Sequence, residues 1–175
     1  MPSEVFADET MARGMAMVAV AVDCASLDAS RRALRSVANK NQVRLHFKSE
    51  NDTIRRKALD VISTLGVAAT VYDAASIKSS ERARAACLRA ILTDTVESGH
   101  RRLVVELDDS HPSFDRRVLQ HQDGQLGRPP GTSFVHMRAA QEPLLGIPDA
   151  IAWCWARGGQ WAKLVEPMII QTRLL

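Results

Sequence analysis

The stretch Glu4-Val5-Phe6-Ala7-Asp8-Glu9, followed after a short connection by the apolar run from Met15 to Val22, decides how this chain is read. In the first segment Val5 and Ala7 fall on one face of an extended chain and Phe6 and Asp8 on the other, because side chains alternate along a strand. The second segment is rich in Val and apolar throughout, which suits a strand covered on both faces by helices. The two are close enough in sequence to pair antiparallel. Carboxylates rarely occupy apolar elements unless they are paired or bound to a metal, so Asp8 is the first candidate functional residue.

Working outward, Leu103-Val104-Val105-Glu106-Leu107 reads as a second buried strand, with Glu106 on the same side as Val104 and an acidic exit through Asp108 and Asp109. Between these strands the spacing of Ala29, Ala33, Leu34 and Val37 predicts a helix from Asp28 to Asn39. Val43 to Phe47 alternates like a strand. A helix runs from about Asp52, a good N-cap type, to Leu65 and stops at Gly66. Val67 to Tyr72 is the next strand, and a long helix from about Ser80 to Ser98 ends at Gly99. Pro112 suits the first turn of a short helix through Gln120. Asp123 to Thr132, with its Gly and Pro residues, reads as a surface loop. Ser133 to Arg138 is the last strand, a helix begins near Pro148, and Trp161 to Ile169 adds another turn or two. Strands alternating with helices make the class α/β with a mixed sheet. The 175 residues form a single domain, 1–175, on the usual size prior.

Composition removes several classes of function. With 46% hydrophobic and 25% charged residues the chain is ordinary globular material. Its net charge of +3 and pI near 9.0 permit nucleic acid without requiring it. The 18 Arg against 5 Lys suit phosphate, although a codon bias toward Arg gives the same count. The longest apolar run, Met15 to Val22, is far shorter than the roughly 20 residues of a membrane helix. Glu4, Asp8 and Glu9 replace the basic start of a signal peptide. Cys24, Cys87 and Cys154 have no CxxC spacing and read as free, core-filling thiols of a protein in the reducing cytoplasm. A cysteine zinc site, a GxGxxG loop and a P-loop lysine are all missing from the sequence.

The chemistry lies in where the acids fall. Asp8 ends a strand, Glu106 sits inside one, and Asp149 opens the last helix. Three carboxylates from separate places in the chain, gathered at one sheet edge, repel each other unless a hard divalent cation joins them. Mg²⁺ or Mn²⁺ held in this way activates water and stabilises a pentavalent phosphate, commonly as a pair of ions ~4 Å apart. Each acid also has an ordinary role open to it. Asp8 can cap a turn, Asp149 can complement a helix dipole, and Glu106 can pair with an Arg. Asp108 and Asp109 can form an Asx turn before Ser110. His46 is either a hydrogen-bonded structural histidine or a ligand or proton shuttle. Trp153 and Trp155 flank Cys154 on different helix faces, so at most one belongs to the core; the other is free for self-association through the C-terminal helix.

Phe6-Ala7-Asp8-Glu9-Thr10 resembles the opening aspartate-glutamate-serine-glycine strand of a large bacterial family, catalogued as domain of unknown function thirty-eight hundred, in the ribonuclease H-like superfamily. The Leu45-His46-Phe47 segment, Leu103-Val104-Val105-Glu106 and its acidic exit, and Leu144 to Ala152 are similar to its later motifs, in order along nearly the whole chain. Thr10-Met11 stands where the family has Ser-Gly, Arg44 where it has an acid, and Gly146 and Pro148 where its last helix has Gln and Ala. The resemblance implies a ribonuclease H-like fold: a central mixed sheet of five or six strands with helices on both faces. It implies metal ligands at Asp8, at Glu106 or Asp108, and at Asp149, with Glu50 as a fourth acid. Two functions then compete. One is a Mg²⁺- or Mn²⁺-dependent nuclease or related phosphodiester hydrolase acting on DNA or RNA, with His46 orienting water or substrate. The other is a catalytically inactive binding or assembly module of the same fold.

Overall fold

A computed structural model describes residues 2–38, 44–127 and 131–175. Among them, six strands form one mixed sheet: β1 (Ser3–Thr10), β2 (Ala16–Asp23), β3 (Ala68–Asp73), β4 (Arg102–Glu106), β5 (Ser133–Met137) and β6 (Ile169–Leu174), in the order β5-β4-β1-β2-β3-β6. β1 and β2 are the antiparallel pair expected from their spacing, and β3 continues antiparallel to β2. β4 lies parallel to β1 on its other side, with β5 parallel to β4 and β6 parallel to β3 at the two edges.

Strand alternation sorts the core into two layers. Phe6, Val18, Val20 and Val104 point to one face, under α1 (Leu27–Val37), α2 (Asp52–Ser63) and α5 (Gly146–Arg157). Val5, Ala7, Met17, Leu103 and Val105 point to the other, under α3 (Ser80–Glu97) and α4 (Pro112–Leu126). A short α6 (Gly159–Val165) adds Trp161 and Val165 to the first layer. The continuous apolar run of β2 is explained by this sandwiching, since both its faces are covered.

Four expectations from sequence need correction. Residues 44–46 are not a strand, and Phe47–Ser49 is a 3₁₀ turn; Val43, like Asn39 at the expected end of the first helix, lies outside the described residues. The Phe47 N–H is bonded to the Asp149 side chain rather than to a neighbouring strand, so no ladder forms. The helix opening at Pro112 runs on through Gly124 to Leu126, and Gly127 closes it in the left-handed conformation (φ 53°) that an L side chain disfavours. Much of the expected loop from Asp123 is therefore helix, while 128–130 lie outside the described residues. The chain after α6 turns at Pro167 and ends as strand β6, where helix was expected to reach Ile169. Trp153 and Trp155 both pack, half-buried, against the first core layer, where at most one was expected. Cys87 and Cys154 are buried and Cys24 half-buried, all three as free thiols. Burial raises the Cys87 thiol to about 11 and that of Cys154 to about 12, consistent with a filling role.

Candidate active site

β1 and β4 run parallel, so their C-terminal ends lie at the same sheet edge, where the ligand crevices of open α/β sheets form. The register that pairs Phe6 with Val104 and Ala7 with Val105 sets Asp8 beside Glu106. Each acid follows by two residues a side chain that enters the first core layer, so both carboxylates face α5. The first turn of α5 supplies Asp149. All three line one cleft of about 630 Å³, together with Arg44, His46 and Trp153.

The electrostatics of this cleft are unbalanced. Burial pushes the Asp8 carboxyl well above the usual carboxylate range, repulsion from Glu106 and then Asp149 pushes it further, and a hydrogen bond shared with Glu106 adds to this while Arg84 opposes it. Asp149 Oδ2 accepts the Phe47 N–H at 2.8 Å and lies 3.5 Å from His46 Nδ1. That contact raises the His46 pKa, with burial acting the other way. Glu106 Oε1 accepts from Arg44 Nη1 at 3.0 Å. Among the described residues, no three His, Cys, Asp or Glu side chains stand at ready-made metal-ligand spacing. The acids converge, but protein donors reach all three, Asp8 Oδ1 accepting from Glu9 N at 2.7 Å.

The segment that carries Arg44 and His46 is strapped across the sheet end. Arg55 of α2 donates from Nε to the Phe47 carbonyl at 2.9 Å and from Nη2 to the Lys48 carbonyl at 3.0 Å. Its guanidinium also lies 4.3 Å from the centre of the Trp153 ring, which Phe47 meets edge-on at 5.4 Å. Phe47 is fully buried, so the strap is anchored by its side chain as well as its backbone.

Two proposed acids play other parts. Glu50 is buried, 6% exposed with Oε1 unpartnered, and does not line the cleft. Asp108 does line it, while its Oδ1 accepts from Ser110 N at 2.8 Å in the expected Asx turn. Asp109 turns outward to a two-pronged pair with Arg138.

A second network was not foreseen. Glu9 alternates to the face opposite Asp8 and meets Arg84 of α3. Arg84 is 4% exposed and donates through Nε and Nη2 to Asp115 of α4, at 2.6 Å each; Asp115 is 0% exposed. Arg84 Nη1 stands 4.0 Å from Asp108 Oδ2, and His136 Nε2 stands 3.6 Å from Asp115 Oδ2. Burial acts to raise the Asp115 carboxyl, but the two bonds from Arg84 and the nearby His136 ring prevail and hold it below its ordinary value. The available signal was alternation at Glu9: an acid beside Asp8 that must point to the opposite layer requires a cation there.

This architecture can be compared with known structures. The chain superposes with a TM-score of 0.60 on a chain of the PCNA:RNase HII complex from Archaeoglobus fulgidus, covering 94% of this chain and 77% of that one at 16% identity. The fold is ribonuclease H-like. The six-stranded mixed sheet with helices on both faces agrees with the expectation from sequence. No protein-family model and no curated protein matches the chain. Among the described residues, no helix of this ribonuclease H-like domain is long and apolar enough to cross a membrane.

Proposed function

We propose that the chain is a divalent-metal-dependent nuclease, or a related phosphodiester hydrolase, with Mg²⁺ or Mn²⁺ as its cofactor and DNA or RNA as its substrate. The supporting observation is the gathering of Asp8, Glu106 and Asp149 on one face at the C-terminal sheet edge, with the buried Asp8 carboxyl repelled by both neighbours. Hard carboxylate oxygens that repel one another in a desolvated cleft fit a hard divalent cation. Asp8, Glu106 and Asp149 would hold it, with Asp108 as a further donor on the rim. When bound, such an ion activates water and stabilises charge on a phosphate.

The chain's own residues divide the remaining work. Arg44 neutralises Glu106 in the free protein and offers its guanidinium to a phosphodiester once Glu106 is engaged elsewhere. His46, more readily protonated beside Asp149, donates to substrate or water from the same wall. Lys48 adds a cation to the cleft lining, and Trp153 gives it an aromatic surface for a base or sugar. The likeness to the bacterial family of Asp8-Glu9 strands belongs to the same proposal.

The competing reading, an inactive module of this fold, draws on the partners already held by Glu106 and Asp149. Cleavage separates the two. With Mn²⁺ present, the wild type is expected to cut at least one of labelled DNA, RNA or hybrid substrates, and Asp8→Asn to cut none. Equal activity in both preparations identifies a contaminant, and the absence of cleavage of every substrate supports the module.

A further inference from the structure

Far from the cleft, the sheet ends in an unguarded edge. β6 pairs with β3 on one side, and its outer side meets no strand among the described residues. Edge strands are ordinarily protected by Lys, Pro or a covering element, because a bare edge is a template for another chain. β6 contains neither residue, and its one cation, Arg173, is turned back onto Asp94. Three of the four large apolar side chains exposed among the described residues lie here: Leu164 at 40%, Ile170 at 71% and Leu174 at 81%.

A groove of about 480 Å³ flanks this edge on each face of the sheet, and Ile170 and Gln171 line both. The groove on the α6 side is walled by Trp155 and Ala162 and carries one charge of each sign, Lys163 and Glu166. The groove on the α3 side is floored by Ala21, Ala68 and Thr70 and rimmed by Asp94 and Glu97. A strand added at the edge alternates its side chains between the two grooves.

We infer that the added strand is β6 of a second copy, the two pairing antiparallel about a two-fold axis at Thr172. Symmetric antiparallel pairing of two edges requires an axis normal to the sheet, so each face continues across it and opposed residues share a face. Gln171 and Arg173 pair with Thr70 and Tyr72 and face α3, while Thr172 pairs with Val71 and faces the first core layer. The axis therefore falls on a residue and not between two. On Arg173 it would set like charges directly opposite each other. On Gln171 it would leave Leu174 beyond the partner strand. On Thr172 it sets Ile170 opposite the partner's Leu174 and Gln171 opposite the partner's Arg173. Apolar then meets apolar, and a cation enters the groove rimmed by Asp94 and Glu97. Lys163 and Glu166 make the other groove complementary in sign to its own copy.

Sedimentation equilibrium of the full chain between roughly 1 and 100 μM should give a species of twice the 19.3 kDa chain mass at the upper end. Thr172→Lys places two ammonium groups face to face at the axis, on an exposed position, and should weaken association at least tenfold. A wild type that stays monomeric throughout, or a dimer undiminished in Thr172→Lys, overturns the inference. Cross-linking tests the register without relying on that variant. Residues opposed across an antiparallel pair lie about 4.5–5.5 Å apart at Cα, within disulfide range, so Thr172→Cys should form a covalent dimer on mild oxidation. Ile170 stands four residues, roughly 13 Å, from its own copy, so Ile170→Cys should not. No cross-link in Thr172→Cys, or equal cross-linking in both, overturns the inference, and each outcome leaves the nuclease reading untouched.

Discussion

Replacing Arg84 by Met strands a charge in the interior. Asp115, 0% exposed, loses both 2.6 Å bonds, and among the described residues the His136 ring, at 3.6 Å, is left as its side-chain neighbour. Removing one member of a buried ion pair costs about 3–5 kcal/mol, because the remaining charge is uncompensated. Glu9 is half-exposed and rehydrates, which places the loss near the lower end, about 3 kcal/mol. For a domain of this size that corresponds to a Tm lower by roughly 6–12 °C. Arg84→Met/Asp115→Leu removes both charges, and apolar replacement of a whole pair is often neutral, so the double variant should return to within about 1 kcal/mol of wild type. The pH dependence has a definite sign. A carboxyl whose folded pKa is depressed, as that of Asp115 is, contributes stability above its unfolded value of about 3.9, and the contribution disappears as pH falls through the folded value. In Arg84→Met the penalty disappears once Asp115 is protonated. Urea melts of wild type and single variant, well separated at pH 7, should therefore approach each other below about pH 4. A loss of less than about 1 kcal/mol in Arg84→Met, or a double variant weaker than the single one, would refute this account of the network.

Other consequences follow from the cleft. Phe47→Ala should cost about 3–5 kcal/mol in urea melts, since Phe47 is fully buried and packs on Trp153; a loss of under 1 kcal/mol would mean that the strap is not anchored there. Arg44→Ala removes an ion pair whose Arg is 41% exposed, so stability should change by less than about 1 kcal/mol, while calorimetry should show tighter Mn²⁺ binding because Glu106 is released. Asp149→Asn keeps an oxygen to accept the Phe47 N–H and should leave stability within about 1 kcal/mol of wild type, yet weaken Mn²⁺ binding about tenfold or more, which is 1.4 kcal/mol of binding free energy.

Much of this was legible because the sheet obeys a period of two. Alternation sets Asp8 on the face of Phe6 and Glu106 on the face of Val104; that these are one face follows from the parallel register of β1 and β4. Asp149 was legible as an early-helix acid, and its contact with the Phe47 N–H shows that a structural role and a place in the cleft coexist in one side chain. What failed did so for physical reasons. Leu45-His46-Phe47 alternates over three residues only, too few to distinguish a strand from a strap that buries Phe47 and leaves His46 half-exposed. β6 is an edge strand with mostly exposed positions, so Gln171, Thr172 and Arg173 carry no apolar signal. Arg84 sits in a helix buried around much of its circumference, where one Arg among Ala residues resembles a solvated position until Asp115 and Glu9 are brought to it by the fold.

The central claim is that Asp8, Glu106 and Asp149 form a single site that gains stability from a divalent ion. Melting the protein in EDTA and then in millimolar Mn²⁺, for wild type and Asp8→Asn side by side, tests it most directly. An ion present at 100 times its Kd stabilises the folded state by about 2.7 kcal/mol, or roughly 5–11 °C in Tm at this size. The expected result is a rise of that order in wild type and none in Asp8→Asn. No rise in wild type, or an equal rise in both, would contradict the claim.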